Sequence, residues 1–329
     1  MARWEDPAWR TAAASWIDEQ AERLGLGRIG EIEQAHARQW SLMWRIPTAD
    51  GLVWFKANGG DTRYEAPLAE ALGRWAPGRV LAPLAVQAER GWQLLPDGGS
   101  TLRDDVARES SQRSARKLRG TRQWEAFVAE YAQLQRDLMP HADEMVALGT
   151  PDHRPATLAG LVAELVDDPA TGLSPESRAR VRALFPEYGQ WCARLADSGI
   201  PSSLNHDDLH DANVFVGPDG FVFFDWGDSA VCHPFTTLLV TLRVVAYRFE
   251  LPADDPSVLR VRDAYLEVFD DLGDVAQLRE LARLATWTGK PARAMSWRRA
   301  LAGASEADLA EHGDAVYGWV EELLEPGPL

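Results

Sequence analysis

The sequence predicts an α+β protein in two parts, a small antiparallel sheet carrying one helix and then a larger, mostly helical portion. Three observations predict this. Short apolar runs with period-two alternation crowd the chain up to Pro96. Helical periodicity dominates beyond the Pro96-Asp97-Gly98-Gly99-Ser100 punctuation, and one polar loop with a hairpin interrupts the helical portion. The boundary is therefore placed at residues 1–96 and 97–329.

Asp6-Pro7 reads as an N-cap with proline in the first turn, and Trp9, Ala13, Trp16, Ile17 and Leu24 recur at helical spacing up to Gly25. Strands are expected over Ile29–Ala37, Trp40–Pro47 and, after the Ala49-Asp50-Gly51 turn, Leu52–Lys56. A helix over Tyr64–Trp75 and strands over Leu81–Ala88 and Gly91–Leu95 complete the first part. In the second, helices are expected over Arg122–Met139, Pro175–Asp197, Pro234–Glu250, Val258–Leu272 and Glu306–Leu324. The basic, serine-rich stretch Arg108–Gly120 reads as a solvated, mobile loop.

Fifty acidic against 34 basic residues give a formal charge of −16, which excludes a general nucleic-acid binder needing a cationic phosphate footprint. Cys192 and Cys232 form no close pair, so neither a disulfide framework nor a cysteine zinc site is expected, and a reducing cytoplasm fits. The acidic N-terminus lacks the apolar stretch of a signal peptide, and the apolar run from Thr236 to Phe249 is interrupted by Arg243, so no membrane insertion is expected.

The chemistry concentrates in the loop. His206, Asp208 and Asn213 fit H-x-D-x-x-x-x-N, in which the aspartate accepts a substrate hydroxyl proton and the asparagine reaches a metal ion. The loop runs through Val214–Val216 and the Gly217-Pro218-Asp219-Gly220 turn into Phe221–Phe224, ending in Asp225-Trp226-Gly227. An acid at the end of an apolar strand is placed to hold Mg²⁺ against phosphate oxygens, and the glycine lets the chain turn.

This set, His206-x-Asp208-Leu209-His210-x-x-Asn213 followed by Asp225, resembles the aminoglycoside phosphotransferase and choline kinase-like family of the protein-kinase-like superfamily. The resemblance extends over about residues 29–250, because Trp54-Phe55-Lys56 ends the third strand and Gly91 to Gly99 looks like the hinge. It implies a bilobal protein-kinase-like fold and an ATP-dependent phosphotransferase, GTP being the other candidate donor. Asp208 is then the catalytic base, with His206 in the loop, and Asn213 and Asp225 bind Mg²⁺. Lys56 is the phosphate-binding lysine and Glu65 its partner. Glu65 is preferred to Glu70 because five residues on a helix turn the two about 140° apart. Main-chain groups of Leu94, Leu95 and Asp97 would meet the base. No glycine lies in His36-Ala37-Arg38-Gln39-Trp40-Ser41, so Ser41 is the candidate phosphate contact there. The acceptor implied is a hydroxyl of a small molecule such as an aminoglycoside, amino sugar or amino alcohol, handled by a monomer or weak dimer with no nucleic-acid or membrane partner.

The family often has glycine where this chain has Asp207. A second carboxylate beside the base is expected to raise the pKa of Asp208 by like-charge repulsion. Two other readings stay open. His206, Asp208 and His210 alternate and could bind a transition metal in a hydrolase, or the chain could be a catalytically silent kinase-like nucleotide binder. His36, His141, His153, His233 and His312 have no partner at a recognisable spacing, Trp287 and Trp297 read as packing, and Asp228 reads as a turn or supporting residue.

Overall fold

A computed structural model describes residues 2–108 and 113–325. The chain divides into two compact units. The first comprises Met1–Gly99, Phe224–Gly227 and Arg298–Asp314, the second Ser100–Phe223, Asp228–Trp297 and Ala315–Leu329.

The first unit is built on a five-stranded antiparallel sheet. β1 (Glu33–Ala37), β2 (Ser41–Thr48), β3 (Gly51–Asn58), β4 (Ala85–Gln87) and β5 (Trp92–Pro96) lie in the order β1-β2-β3-β5-β4. Alternation sorts the side chains by face: Leu42, Trp44 and Ile46 of β2 and Val53, Phe55 and Ala57 of β3 enter one core with Ala13 and Ile17 of the leader helix Pro7–Leu24. Trp9 of that helix meets Trp4, Trp44 and Trp92 edge-on, with ring centroids 5.1, 5.8 and 5.7 Å away. The odd-numbered positions of β3 are thereby committed to this core. Lys56 must face the other way, in register with Met43 of β2 and Gln93 of β5. The helix Glu65–Trp75 belongs to the same unit and buries Leu68, Ala69 and Leu72.

The second unit is mostly helical. The helix Arg113–Leu138 packs against Pro256–Glu267, and Pro155–Asp167 against Phe185–Ala196. Two small antiparallel pairs interrupt the helices. β6 (Ser203–Asn205) pairs with β9 (Ala230–Cys232), and β7 (Val214–Gly217) with β8 (Gly220–Phe223).

Several expected elements differ. The stretch expected as one helix over Pro175–Asp197 is two, Pro175–Ala183 and Phe185–Ala196. Pro186 has no N–H with which to continue the first helix, but fits the opening turn of the second. The helix expected over Glu306–Leu324 likewise breaks into Glu306–His312 and Asp314–Glu321. Of the expected loop Arg108–Gly120, residues 109–112 lie outside the described residues, while 113–120 open the helix Arg113–Leu138, in keeping with the helix propensity of Ala115, Arg116, Lys117 and Leu118. The longest addition is the helix Val275–Ala300, which the sequence hides because Gly289 and Pro291 read as breakers. Gly289 has a packing reason: a Cβ there would lie 2.6 Å from Thr236 Cγ2. Among the described residues no helix is long and apolar enough to cross a membrane.

Candidate active site

In the first unit Lys56 projects from the face of β3 that the aromatic core does not use. Its Nζ donates to Glu65 Oε1 and to Asp225 Oδ1, each at 2.6 Å. Lys56 and Glu65 are buried, whereas the Asp225 side chain is 49% exposed, so the cluster opens to solvent on the Asp225 side only. Glu65 is held from three further directions: Asn58 Nδ2 donates to Oε2 at 2.5 Å, the Trp226 amide donates to Oε1 at 3.2 Å, and Gly227 approaches so closely that a Cβ would lie 3.0 Å from Oε2. The glycine of Asp225-Trp226-Gly227 thus makes room for the glutamate. Glu70 instead forms an exposed i,i+4 pair with Arg74.

Burial acts to lower the Lys56 pKa, but the charges of Asp225 and Glu65 outweigh it and hold the ammonium above its ordinary value. Lys56 is therefore a permanent cation at neutral pH. Burial pushes the Glu65 carboxyl up, with Lys56 and Asn58 acting against it.

A cleft in this unit is lined by Ser41, Lys56, Glu65, Leu95 and Asp225, together with His36, Met43 and Gln93. It brings together five of the residues expected at the nucleotide. Two others are not among its lining residues. The Leu94 side chain enters the aromatic core on the opposite face, and its carbonyl accepts from the Leu84 amide at 2.7 Å. Asp97 Oδ1 accepts from Trp54 Nε1 and from the Gly99 amide, each at 3.4 Å. Sequence reasoning missed His36, whose pKa is lowered by burial and by Arg38, keeping the ring neutral. Its place on β1 is the signal that could have found it, since β1 pairs His36 with Met43.

The second unit carries the loop. β6 is anchored on the helix Arg113–Leu138: Tyr131 OH and Gln135 Nε2 donate to the Leu204 carbonyl at 2.9 and 2.8 Å, and Ser203 Oγ donates to the Gln135 carbonyl at 2.6 Å. His206 is buried edge-on against Tyr131. Asp211, also buried, ties the far side of the loop to Arg103 at 2.8 Å and Arg248 at 3.1 Å. Between these anchors Asn213 Nδ2 donates to the Asp208 carbonyl at 3.0 Å and to Asp208 Oδ2 at 3.2 Å. The amide nitrogen faces Asp208, so Asn213 Oδ1 is left as a hard oxygen donor on the other side. The Ala212 amide donates to His210 Nδ1, and His210 Nε2 lies 3.4 Å from Asp208 Oδ2.

The expectation for Asp207 is overturned. Burial alone would push the Asp208 carboxyl up, but the His210 hydrogen bond and the charges of Arg293, His210 and His206 outweigh it and hold the group down at about 2. The Asp207 carboxylate is itself engaged by Asn205, Ser296 and Arg293, and the cations and donors around Asp208 outweigh its charge. Arg293 was invisible to sequence reasoning. Its guanidinium lies 3.4 Å from Asp208 Oδ1 and 3.1 Å from Asp228 Oδ2, and these charges hold it fully protonated. Asp228 thus sits in a turn and is also an ion-pair partner of Arg293. The metal-hydrolase arrangement is not formed: His206 faces Tyr131, and among the described residues no three His, Cys, Asp or Glu side chains gather as a metal-binding group.

Comparison with known proteins shows a family and a fold. The model of a phosphotransferase enzyme family matches residues 52–281, well over half of the chain. No curated protein matches closely enough by sequence to count as a relative. Among solved structures, a GDP complex of an aminoglycoside 2'-phosphotransferase-IIIa mutant is 13% identical with a TM-score of 0.57, covering 95% of this chain and 96% of that one. Choline kinase from Cryptosporidium parvum is 10% identical with a TM-score of 0.56, over 90% and 89% of the two chains. Amicoumacin kinase, in complex with AMP-PNP and Ca²⁺, is 13% identical with a TM-score of 0.53, over 95% and 94%. At these identities the structural likeness is one of fold.

Proposed function

Since this chain belongs to the phosphotransferase enzyme family and is a small-molecule kinase, we propose that it transfers the γ-phosphoryl group of ATP to a hydroxyl of a small molecule, with Asp208 as the base. The observation that carries this reading is Lys56, a buried cation held between Glu65 and Asp225 on the wall of a cleft. A buried lysine shared by two acids contributes little to stability that apolar packing would not. It is well suited to neutralising phosphate oxygens at a defined point.

Mg²⁺ is the metal this reading calls for, because Asn213 Oδ1 and the half-exposed Asp225 carboxylate are each hard oxygens of the kind it takes. When bound, it offsets negative charge on the triphosphate. The protein's own residues do the rest. Lys56 supplies a fixed positive charge to the donor phosphates, and Ser41 and the cleft-facing side of β5 border the nucleotide. Asn213 fixes the Asp208 carboxylate in one rotamer, and Asp208 orients the acceptor hydroxyl for in-line attack and takes its proton. A carboxyl held at about 2 is a weak base. That suffices for a loose phosphoryl-transfer transition state, in which positioning and electrostatics contribute most.

The formal charge of −16 favours a cationic acceptor such as an aminoglycoside, amino sugar or amino alcohol. The matched structures include proteins named for an aminoglycoside and for choline. Two buried free cysteines support a reducing cytoplasm, and the acidic balance a protein without a nucleic-acid partner, working as a monomer or weak dimer. The test is ADP release from ATP and Mg²⁺, and separately from GTP, in the presence of aminoglycosides, amino sugars, choline and simple sugars. Stimulation by one acceptor class, lost in Asp208→Ala, is expected. Nucleotide binding without transfer to any hydroxyl would leave a silent nucleotide binder instead.

A further inference from the structure

We propose that Arg293 is a positioning residue for Asp208, and that with Asp207 and Ser296 it forms a latch tying the catalytic loop to the helix Val275–Ala300. The meaning of the latch for catalysis rests on the phosphotransfer reading above. The latch itself lies within one unit.

Asp207 stands at φ 60°, in the left-handed region that glycine enters freely and other residues avoid. An aspartate persists there only if its surroundings hold it. They do: Asn205 Nδ2 donates to Asp207 Oδ1 at 3.1 Å, Asn205 Oδ1 accepts from the Asp207 amide at 3.1 Å, Ser296 Oγ donates to Oδ2 at 2.7 Å, and Arg293 Nη1 lies 3.5 Å from Oδ2. Asn205 is held in turn, its Oδ1 accepting from Thr237 Oγ1 at 2.8 Å. The left-handed turn at Asp207 sets the direction in which Asp208 leaves the chain.

Arg293 and Ser296 are three residues apart on the helix, so both reach the loop from one face. The two ends of the guanidinium then divide the work. Nη1 serves Asp228 and Asp207, while Nη2 lies 3.4 Å from Asp208 Oδ1. Asp208 Oδ2 is met by Asn213 and His210, so the carboxylate is gripped at both oxygens and its plane is defined. A planar, permanently charged fork can do this, and a point charge cannot. Three carboxylates against one cation also leave the cluster net negative. Simple charge cancellation therefore does not explain the arrangement, whereas orientation of Asp208 does.

The test uses the full chain in four variants, Arg293→Leu, Arg293→Lys, Asp207→Gly and the double variant Asp207→Gly/Arg293→Leu. Hydrogen exchange is followed in residues 205–213, with 52–58 as internal reference, and kcat and KM for ATP are measured with the acceptor found by the screen. Arg293→Leu is expected to speed exchange in 205–213 about tenfold and leave 52–58 unchanged. It should lower kcat about 10²-fold with the ATP KM nearly constant, as misplacement of a reacting group does. Arg293→Lys should restore less than about a tenth of the lost rate, having no fork. The double variant should exceed Arg293→Leu, because glycine adopts φ 60° unaided and one like charge is gone. Should Arg293→Leu fail to fold, Asp207→Gly still decides the matter through a smaller rise in exchange confined to the loop. Unchanged exchange and kcat in a folded Arg293→Leu would overturn the latch, as would damage spread equally to 52–58 and the ATP KM. If the parent transfers phosphate to no acceptor, the functional reading fails while the exchange data still judge the latch.

Discussion

Lys56 in the first unit and Arg293 in the second, both buried, organise acids in different ways. Lys56 meets two carboxylates at 2.6 Å each, as a compact charge on a flexible stem. Arg293 spreads over three carboxylates at 3.1 to 3.5 Å, as a rigid plane. A lysine ammonium exchanges partners readily, which under the proposed function suits a group that answers a nucleotide's phosphates. A guanidinium keeps its geometry, which under the proposed latch suits a group that holds Asp208 still.

The comparison can be broken or sharpened by substitution. The largest effect is expected from Asp208→Ala, which should lower kcat about 10³-fold or more while ATP affinity, measured by calorimetry, stays within a few-fold. Retained turnover would remove Asp208 from the base role. Next, Lys56→Met strips the cation from buried Glu65 and should cost about 3 kcal/mol in urea unfolding, with loss of ATP binding. A variant as stable as the parent would show that Glu65 is protonated and that the pair is not ionic.

A third expectation concerns His233, whose ring is buried beside Phe235 and held down at about 3 by desolvation. The folded state keeps this ring neutral while the unfolded chain protonates it below about 6.5, so its contribution is full above that pH and is lost as pH falls toward 3. Acidifying from pH 7 to 5 should therefore cost on the order of 2 kcal/mol through this group. His233→Gln should flatten that part of the stability profile. The smallest effect is expected for Arg74→Ala, which breaks the exposed pair with Glu70 and should shift stability by less than about 0.5 kcal/mol. A larger change would mean that exposed pairs count here as much as the buried clusters do.

The Lys56 cluster was partly legible because its logic is local. Alternation along β3 sends Val53, Phe55 and Ala57 to one face and Lys56 to the other, and Glu65 follows nine residues later in the first turn of the next helix. The spacing of His206, Asp208 and Asn213 was legible for the same reason: a tight loop fixes its own neighbours, as the Asn213–Asp208 hydrogen bond shows. Long-range partners were not. Arg293 lies 85 residues beyond Asp208 on a helix whose Gly289 and Pro291 imitate a break, and Asp211 finds Arg103 on the earlier side, 108 residues away. The side chain of Leu94 enters the apolar core, a placement set by its sheet position and not by the hinge stretch, whose expected contacts were main-chain ones.

By itself, then, the sequence determined the strands of the first part, the position of Lys56 at the end of the third strand and the spacing within the loop His206–Asn213, because these follow from backbone periodicity and short-range sterics. Only the tertiary structure decided what surrounds the base. An aspartate at position 207 reads as a repulsive neighbour until a helix from far along the chain brings Arg293 and Ser296 against it. Coulomb energy depends on distance in space, not on separation along the chain, so the net shift at Asp208 could not be read before the chain was folded.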